Sequence, residues 1–158
     1  MNVHVKDDVS AQVLRIVGEL KSLEGPLLPI LHAVQEEFGY IPEAALPLIG
    51  TELNLSRAEV HGVVTFYHDF HRHPVGRHVI KVCQAEACQS MGAEALAAVV
   101  QKSLKVRFGE TTSDGAITVE KVYCLGNCAL SPAMLVDDKL VGRVGEAKFK
   151  AIVAELKS

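Results

Sequence analysis

Most of the chemistry available to this chain of 158 residues sits on four cysteines, Cys83, Cys88, Cys124 and Cys128. They form two pairs, with four residues between the first two and three between the last two. Each pair begins where a strand-like run ends, His78-Val79-Ile80-Lys81-Val82 before Cys83 and Ile117-Thr118-Val119-Glu120-Lys121-Val122-Tyr123 before Cys124. Loops that leave neighbouring strands are able to converge on one point. A [2Fe–2S] cluster asks for four thiolates, two per iron, around a core wider than one metal ion. Gaps of three and four residues let each loop wrap a pair and leave backbone N–H groups free to reach the sulfurs. Gly126 supplies an unrestricted backbone inside the second loop, and Gly92 lets the chain turn out of the first. Leu125, Ala129, Leu130 and Met134 are candidates for excluding water from one side.

The spacing favours iron and sulfide but leaves two other readings open. A tetrahedral zinc site also takes four thiolates from pairs spaced two to four apart, which would make the chain a zinc-stabilised interaction module. A thiol-based redox protein is the other, although no C-x-x-C is present. Nothing in the sequence offers a nucleophile with its base or an acid–base pair, so no active site of its own is expected. Neither G-x-G-x-x-G nor G-x-x-x-x-G-K occurs, which argues against dinucleotide or ATP binding on this chain. His68, His71 and His73 with Asp69 lack the H-E-x-x-H pattern and read as an exposed helix end or partner contact. His32 and His61 read as packed or surface histidines. Phe66, Tyr67 and Phe70 read as core aromatics, with partner anchoring as the functional alternative.

The elements that must position the cysteines differ between two parts. Residues 1–75 carry five Lys and Arg against ten Asp and Glu, with six of the seven histidines; residues 76–158 carry eleven against nine, with all four cysteines. The first part reads as helices. Val9, Val13, Ile16, Val17, Leu20 and Leu23 make one apolar stripe, and Leu27, Leu31, Val34 and Phe38 make another that stops at Gly39. Pro42 suits the first turn of a third helix towards Leu53, with Pro47 forcing a kink or a later start. Ser56-Arg57-Ala58-Glu59 is a capping box opening a fourth helix through Tyr67.

The second part alternates in strand fashion. After the strand ending at Cys83 come a loop to Gly92, a helix Ala93 to Leu104, a turn Thr111 to Gly115 and the strand before Cys124. Met134-Leu135-Val136 and Leu140 to Val144 read as a hairpin around Asp137-Asp138, and a last helix runs from about Glu146 to Leu156. The expected class is α+β: an N-terminal helical bundle over 1–75, then a thioredoxin-like α/β domain over 76–158, with Gly76-Arg77 a hinge.

Composition narrows the remaining classes. The apolar fraction of 49% and charged fraction of 22% are ordinary for a globular protein. A net charge of −3 gives no footprint for nucleic acid. The first eight residues show neither a basic stretch nor an apolar run of signal type, and no run has the length of a membrane span. A soluble, cytoplasmic protein with reduced thiols is expected.

The runs Lys81 to Gly92 and Tyr123-Cys124-Leu125-Gly126-Asn127-Cys128-Ala129-Leu130-Ser131-Pro132 resemble the thioredoxin-like [2Fe–2S] ferredoxin subunits of NADH-oxidising modules. Gly109 to Gly115 and Val63-Val64-Thr65-Phe66-Tyr67 share the likeness, which covers nearly the whole chain. The resemblance implies one [2Fe–2S] cluster on Cys83, Cys88, Cys124 and Cys128. It also implies FMN and NAD on a partner beta subunit, and single-electron exchange with that flavin. The helical region 1–75 is then a partner-docking part. Within the family, Cys83-Gln84-Ala85-Glu86-Ala87-Cys88-Gln89-Ser90 looks most like the gamma subunit of NAD-dependent formate dehydrogenase. That likeness implies a molybdenum-containing alpha subunit in the complex. Respiratory complex I and NAD-linked hydrogenases carry related subunits.

Overall fold

The structure is a computed structural model that describes residues 3–157, with side chains from Val9 onward. Met1, Asn2, Ser158 and the side chains of Asp7 and Asp8 lie outside the described residues. No helix among the described residues is long and apolar enough to cross a membrane. The chain divides into two compact units, one ending at Pro74 and the other beginning at Val75.

The first unit is all helical: α1 (Val3–Leu20), α2 (Leu27–Phe38), α3 (Ala45–Leu53) and α4 (Arg57–Phe66). Their apolar stripes meet in one core that includes Val13, Val17, Ile30, Leu31, Val34, Ile49 and Val60. Burying each such side chain stabilises the fold by about 1.5–3 kcal/mol. Gly39 ends α2 in the left-handed conformation at φ 76°, where its N–H bonds to the Gln35 carbonyl. Ser56 caps α4, and Glu59 answers through the Ser56 N–H at 2.7 Å. The third helix begins at Ala45, so Pro47 falls in its first turn, where no intrahelical N–H bond is required. Two boundaries fall short of the sequence reading. The first helix stops at Leu20, leaving Leu23 exposed, and Tyr67 turns to extended backbone as the cap of α4.

The second unit holds β1 (His78–Cys83), α5 (Glu86–Ser90), α6 (Ala93–Leu104), β2 (Glu110–Thr111), β3 (Ile117–Val122), β4 (Met134–Val136), β5 (Lys139–Val141) and α7 (Glu146–Leu156). The sheet order is β2-β3-β1-β4-β5, with β1 and β3 parallel and the other neighbours antiparallel. Leu96, Val100 and Leu104 of α6 and Phe149 of α7 share a core with Ile80, Val82, Val119 and Met134 of the sheet. Two short elements depart from the sequence reading. The segment before Gly92 is not all loop, because α5 forms inside it; five residues are too few to show a helical period. Strand β2 takes Thr111, the first residue of the expected turn, together with Glu110, and pairs with β3. Nor is Gly76 merely a hinge. Its N–H donates to Thr118 Oγ1 at 2.7 Å, and a Cβ there would lie 2.9 Å from the Ile117 nitrogen.

Candidate metal centre

Parallel pairing brings the two cysteine loops to one end of the sheet. Strand β1 ends at Cys83, which stands opposite Val122, the last residue of β3, and Cys124 follows two residues later. The N–H of Cys83 bonds to the Ala133 carbonyl at 3.1 Å, and that of Gln84 to the Val122 carbonyl at 2.8 Å. Thus the first loop is stitched to both neighbours at its root. Gln84 Nε2 then donates to the Cys83 carbonyl, and Gln89 Nε2 to the Gln84 carbonyl at 2.8 Å. Helix α5 presents Cys88. Both thiols of this pair are 2% exposed and pack with Ala93 and Ala133, against which Ala85, Val122 and Leu125 lie half-buried.

The second pair is exposed, with Cys124 and Cys128 Sγ 3.9 Å apart. Cys124 adopts φ 97° and Gly126 φ 72°. A left-handed non-glycine residue costs about 1–3 kcal/mol, so a surrounding structure must hold Cys124 there. Part of that hold is visible: the Gly126 N–H donates to Cys124 Sγ at 3.3 Å. A Cβ on Gly126 would enter open space, so its role is the backbone dihedral and not a close neighbour within this chain. Cys128 begins a single tight turn through Leu130. Behind it, the Arg143 N–H donates to the Leu130 carbonyl at 2.6 Å and the Val144 N–H to the Pro132 carbonyl at 2.9 Å. Gly142 touches this turn so closely that a Cβ would sit 2.5 Å from Leu130 Cβ.

The two pairs also meet each other. Ser131, buried, places Oγ 3.4 Å from Cys88 Sγ and donates it to the Cys128 carbonyl at 2.8 Å. Burial pushes the Cys88 thiol up, but hydrogen bonds from Ser131, Cys83 and the Ala133 backbone outweigh it and leave it below the ordinary value. The Cys128 thiol is raised, first by its hydrogen bond and charge contact with Cys124, then by burial, and then by the charges of Cys88 and Cys83. Cys128 thus feels thiols of both pairs. Four free thiols in two pairs, on loops that leave neighbouring strands at one end of the sheet, are a donor set that would suit a two-iron centre. Among the described residues no three His, Cys, Asp or Glu side chains gather into a single-ion group; the cysteines stand as two pairs.

Residues 13–157 match the thioredoxin-like [2Fe-2S] ferredoxin family. The chain belongs to that family. A subunit of the NADH-quinone oxidoreductase of Pseudomonas aeruginosa is 43% identical over 132 residues, covering 82% of this chain and 80% of the relative. The HndA subunit of the NADP-reducing hydrogenase of Solidesulfovibrio fructosivorans is 34% identical over 144 residues, covering 91% and 84%. Among solved structures, the NAD+-reducing [NiFe]-hydrogenase in its air-oxidized state superposes with a TM-score of 0.69 at 23% identity. That match takes in 80% of this chain and 22% of the hydrogenase chain, and it supports the thioredoxin-like fold. Family membership decides among the readings that cysteine spacing left open: this ferredoxin is an electron-transfer protein, and its cofactor is a [2Fe–2S] cluster.

Several surroundings of the cysteines differ from the sequence reading. Of the four proposed water-excluding residues, Leu125 packs on the buried pair, while Ala129 and Leu130 are exposed and Met134 belongs to the sheet core. Sequence reasoning missed Gly142 and gave Ser131 no role. Neither carries a local signal, because each acts through a partner distant in sequence, Leu130 in one case and Cys88 in the other. In the helical unit, Gln35 holds the segment after α4, donating to the Asp69 carbonyl and accepting from the His71 N–H, both at 2.7 Å. Phe70 is buried beside His32, as a core aromatic should be, while Phe66 is 73% exposed and Tyr67 lies partly exposed against it.

Proposed function

We propose that this ferredoxin is the [2Fe–2S] subunit of an NAD-dependent formate dehydrogenase, with Cys83, Cys88, Cys124 and Cys128 as the cluster ligands. The observation that carries the ligand assignment is the convergence of both cysteine loops beyond one end of the parallel β1–β3 pair. When bound, the cluster accepts and returns one electron at a time. The chain's own part is to hold four thiolates and to keep water from two of them. It also leaves the Cys124–Cys128 side open to a partner. FMN and NAD belong on a partner beta subunit, where the flavin converts between hydride and single electrons. A molybdenum-containing alpha subunit oxidises formate. The whole complex is cytoplasmic. The exposed Phe66 and Tyr67 support a docking role for the helical unit, since aromatics are enriched at the centres of interfaces.

Support for formate dehydrogenase comes from the first loop, Cys83 to Ser90, which resembles its gamma subunit. A second reading is the equivalent subunit of an NADH:quinone oxidoreductase or an NAD-linked hydrogenase, favoured by the names of the relatives above. Affinity purification of the tagged chain from its native host separates them. Recovery of an FMN protein and a molybdenum subunit, with formate-dependent NAD+ reduction, supports the first. Recovery of a quinone-reducing membrane complex or a nickel subunit overturns it in favour of the second.

A further inference from the structure

The hydroxyl of Ser131 touches both cysteine pairs. It lies 3.4 Å from Cys88 Sγ, on the buried pair, and 2.8 Å from the carbonyl of Cys128, on the exposed pair. The residue is 7% exposed, so water does not compete freely for it. Its single proton is directed at the Cys128 carbonyl. A thiol at Cys88 has a proton of its own to offer the Ser131 oxygen. A Cys88 bound to iron has none. Ligation therefore turns the Cys88–Ser131 contact into one in which the serine alone can donate, either by sharing its proton between the Cys128 carbonyl and the Cys88 sulfur or by rotating onto the sulfur.

We infer that Ser131 is a positioning residue that sets the reduction potential of the cluster by donating a hydrogen bond to the sulfur of Cys88. Reduction adds one negative charge to the cluster and its thiolates. A hydrogen bond to sulfur stabilises that added charge, and hydrogen bonds to the sulfurs are among the factors that fix where a cluster falls on the potential scale. The effect is greatest where the neighbourhood is dry, and the buried pair is the dry one. Cys88 takes a backbone bond from Ala133 and Cys124 one from Gly126, and the Ser131 hydroxyl adds a side-chain donor at the buried pair.

This inference rests on the assignment of Cys88 as a ligand. The test uses the full chain carrying its cluster, and the midpoint potential is read by titration of the reduced-state paramagnetic signal. Ser131→Ala removes the donor and is expected to lower the reduced fraction at a fixed potential about tenfold, a shift of about 59 mV for a one-electron couple. Ser131→Thr keeps the hydroxyl and is expected to restore the wild-type value. Ser90→Ala removes a hydroxyl that bonds only the Ala87 carbonyl in the same loop and is expected to leave the potential unchanged. A cluster-loaded Ser131→Ala with the wild-type potential, or a Ser131→Thr shifted as far as the alanine, overturns the inference. If Ser131→Ala does not retain two irons per chain, Ser131→Gly, which also lacks the hydroxyl, carries the same comparison. A ligand assignment at fault shows itself differently, as a Cys88→Ser variant whose iron and sulfide content equals that of the wild type.

Discussion

The two units solve different problems. In the helical unit stripes face one core, a glycine closes α2, a capping box opens α4, and Asn54 ends α3 in the left-handed conformation at φ 54°. The sheet unit has left-handed non-glycine residues at Lys105 and Asp137, away from the cysteines, and two more at the cysteine end. There Cys124 stands at φ 97° and Arg143 at φ 49°, and two thiols are buried among alanines. Helix packing asks for regular structure; two cysteine loops that leave neighbouring strands at one end of a sheet ask for irregular backbone. Among the left-handed non-glycine residues, Cys124 has the largest positive φ and is the one that stands in the candidate site itself.

That contrast is broken most severely by removing a thiol. Cys88→Ser and Cys124→Ser are expected to abolish retention of about two irons and two sulfides per chain, while helical circular dichroism persists. Metal and acid-labile sulfide analysis, beside the far-ultraviolet spectrum, checks both halves of that statement. A smaller effect on the same side comes from Gly142→Ala. The added Cβ, 2.5 Å from Leu130 Cβ, must displace the turn that begins at Cys128. Overpacking of this kind costs about 1–3 kcal/mol. We expect a several-fold lower iron content after gel filtration. Gly50→Ala is its counterpart in the helical unit, because a Cβ there would lie 2.8 Å from the Leu55 carbonyl oxygen. It is expected to cost about as much stability, seen as faster amide exchange in α3 and α4, with full iron content kept.

Removing the α4 cap is milder. Ser56→Ala should cost about 1 kcal/mol and lower the melting temperature by about 2–4 °C in a chain of this size. The reciprocal bond from the Ser56 N–H holds the Glu59 carboxyl below its usual 4.5. The contribution of Glu59 is therefore complete above that value and fades as the pH falls through its lowered one. Asp114 gives the smallest effect, on the sheet side. Hydrogen bonds from the Thr112 hydroxyl and then the Ala116 N–H, with Lys157 nearby, pull its carboxyl from 3.8 down to about 2. Its stabilising share is complete above 3.8 and lost as the pH falls towards 2. Acid unfolding of Asp114→Asn, compared with the wild type, should show a flatter pH dependence in that window.

How much was legible follows the same divide. Helices α2 and α6 and the strand β1 were readable at their ends, because Gly39, Gly92 and a β-branched run announce them. The cysteine pairs were readable from spacing alone. Helix α5 and strand β2 were not, since five and two residues carry no period. The bracing by Gly142 and the touch of Ser131 on Cys88 depend on how distant segments fold back, and no local pattern encodes that. Tyr67 shows the opposite failure. Its spacing continued the α4 stripe, yet the backbone leaves the helix there, and both it and Phe66 face outward.

Parallel pairing of β1 with β3 has a practical consequence for anyone redesigning this ferredoxin. Parallel neighbours require a crossover, supplied here by α5 and α6 with the segment after them. The crossover hands the chain back at the far end of the sheet, so its length beyond Gly92 does not enter the spacing between the thiols. Register does: sliding β3 by one residue would carry Cys124 about 3.3 Å along the strand direction. Insertions between α6 and β2 should thus be benign grafting points, whereas a single residue added within β3 acts as a vernier on where Cys124 stands.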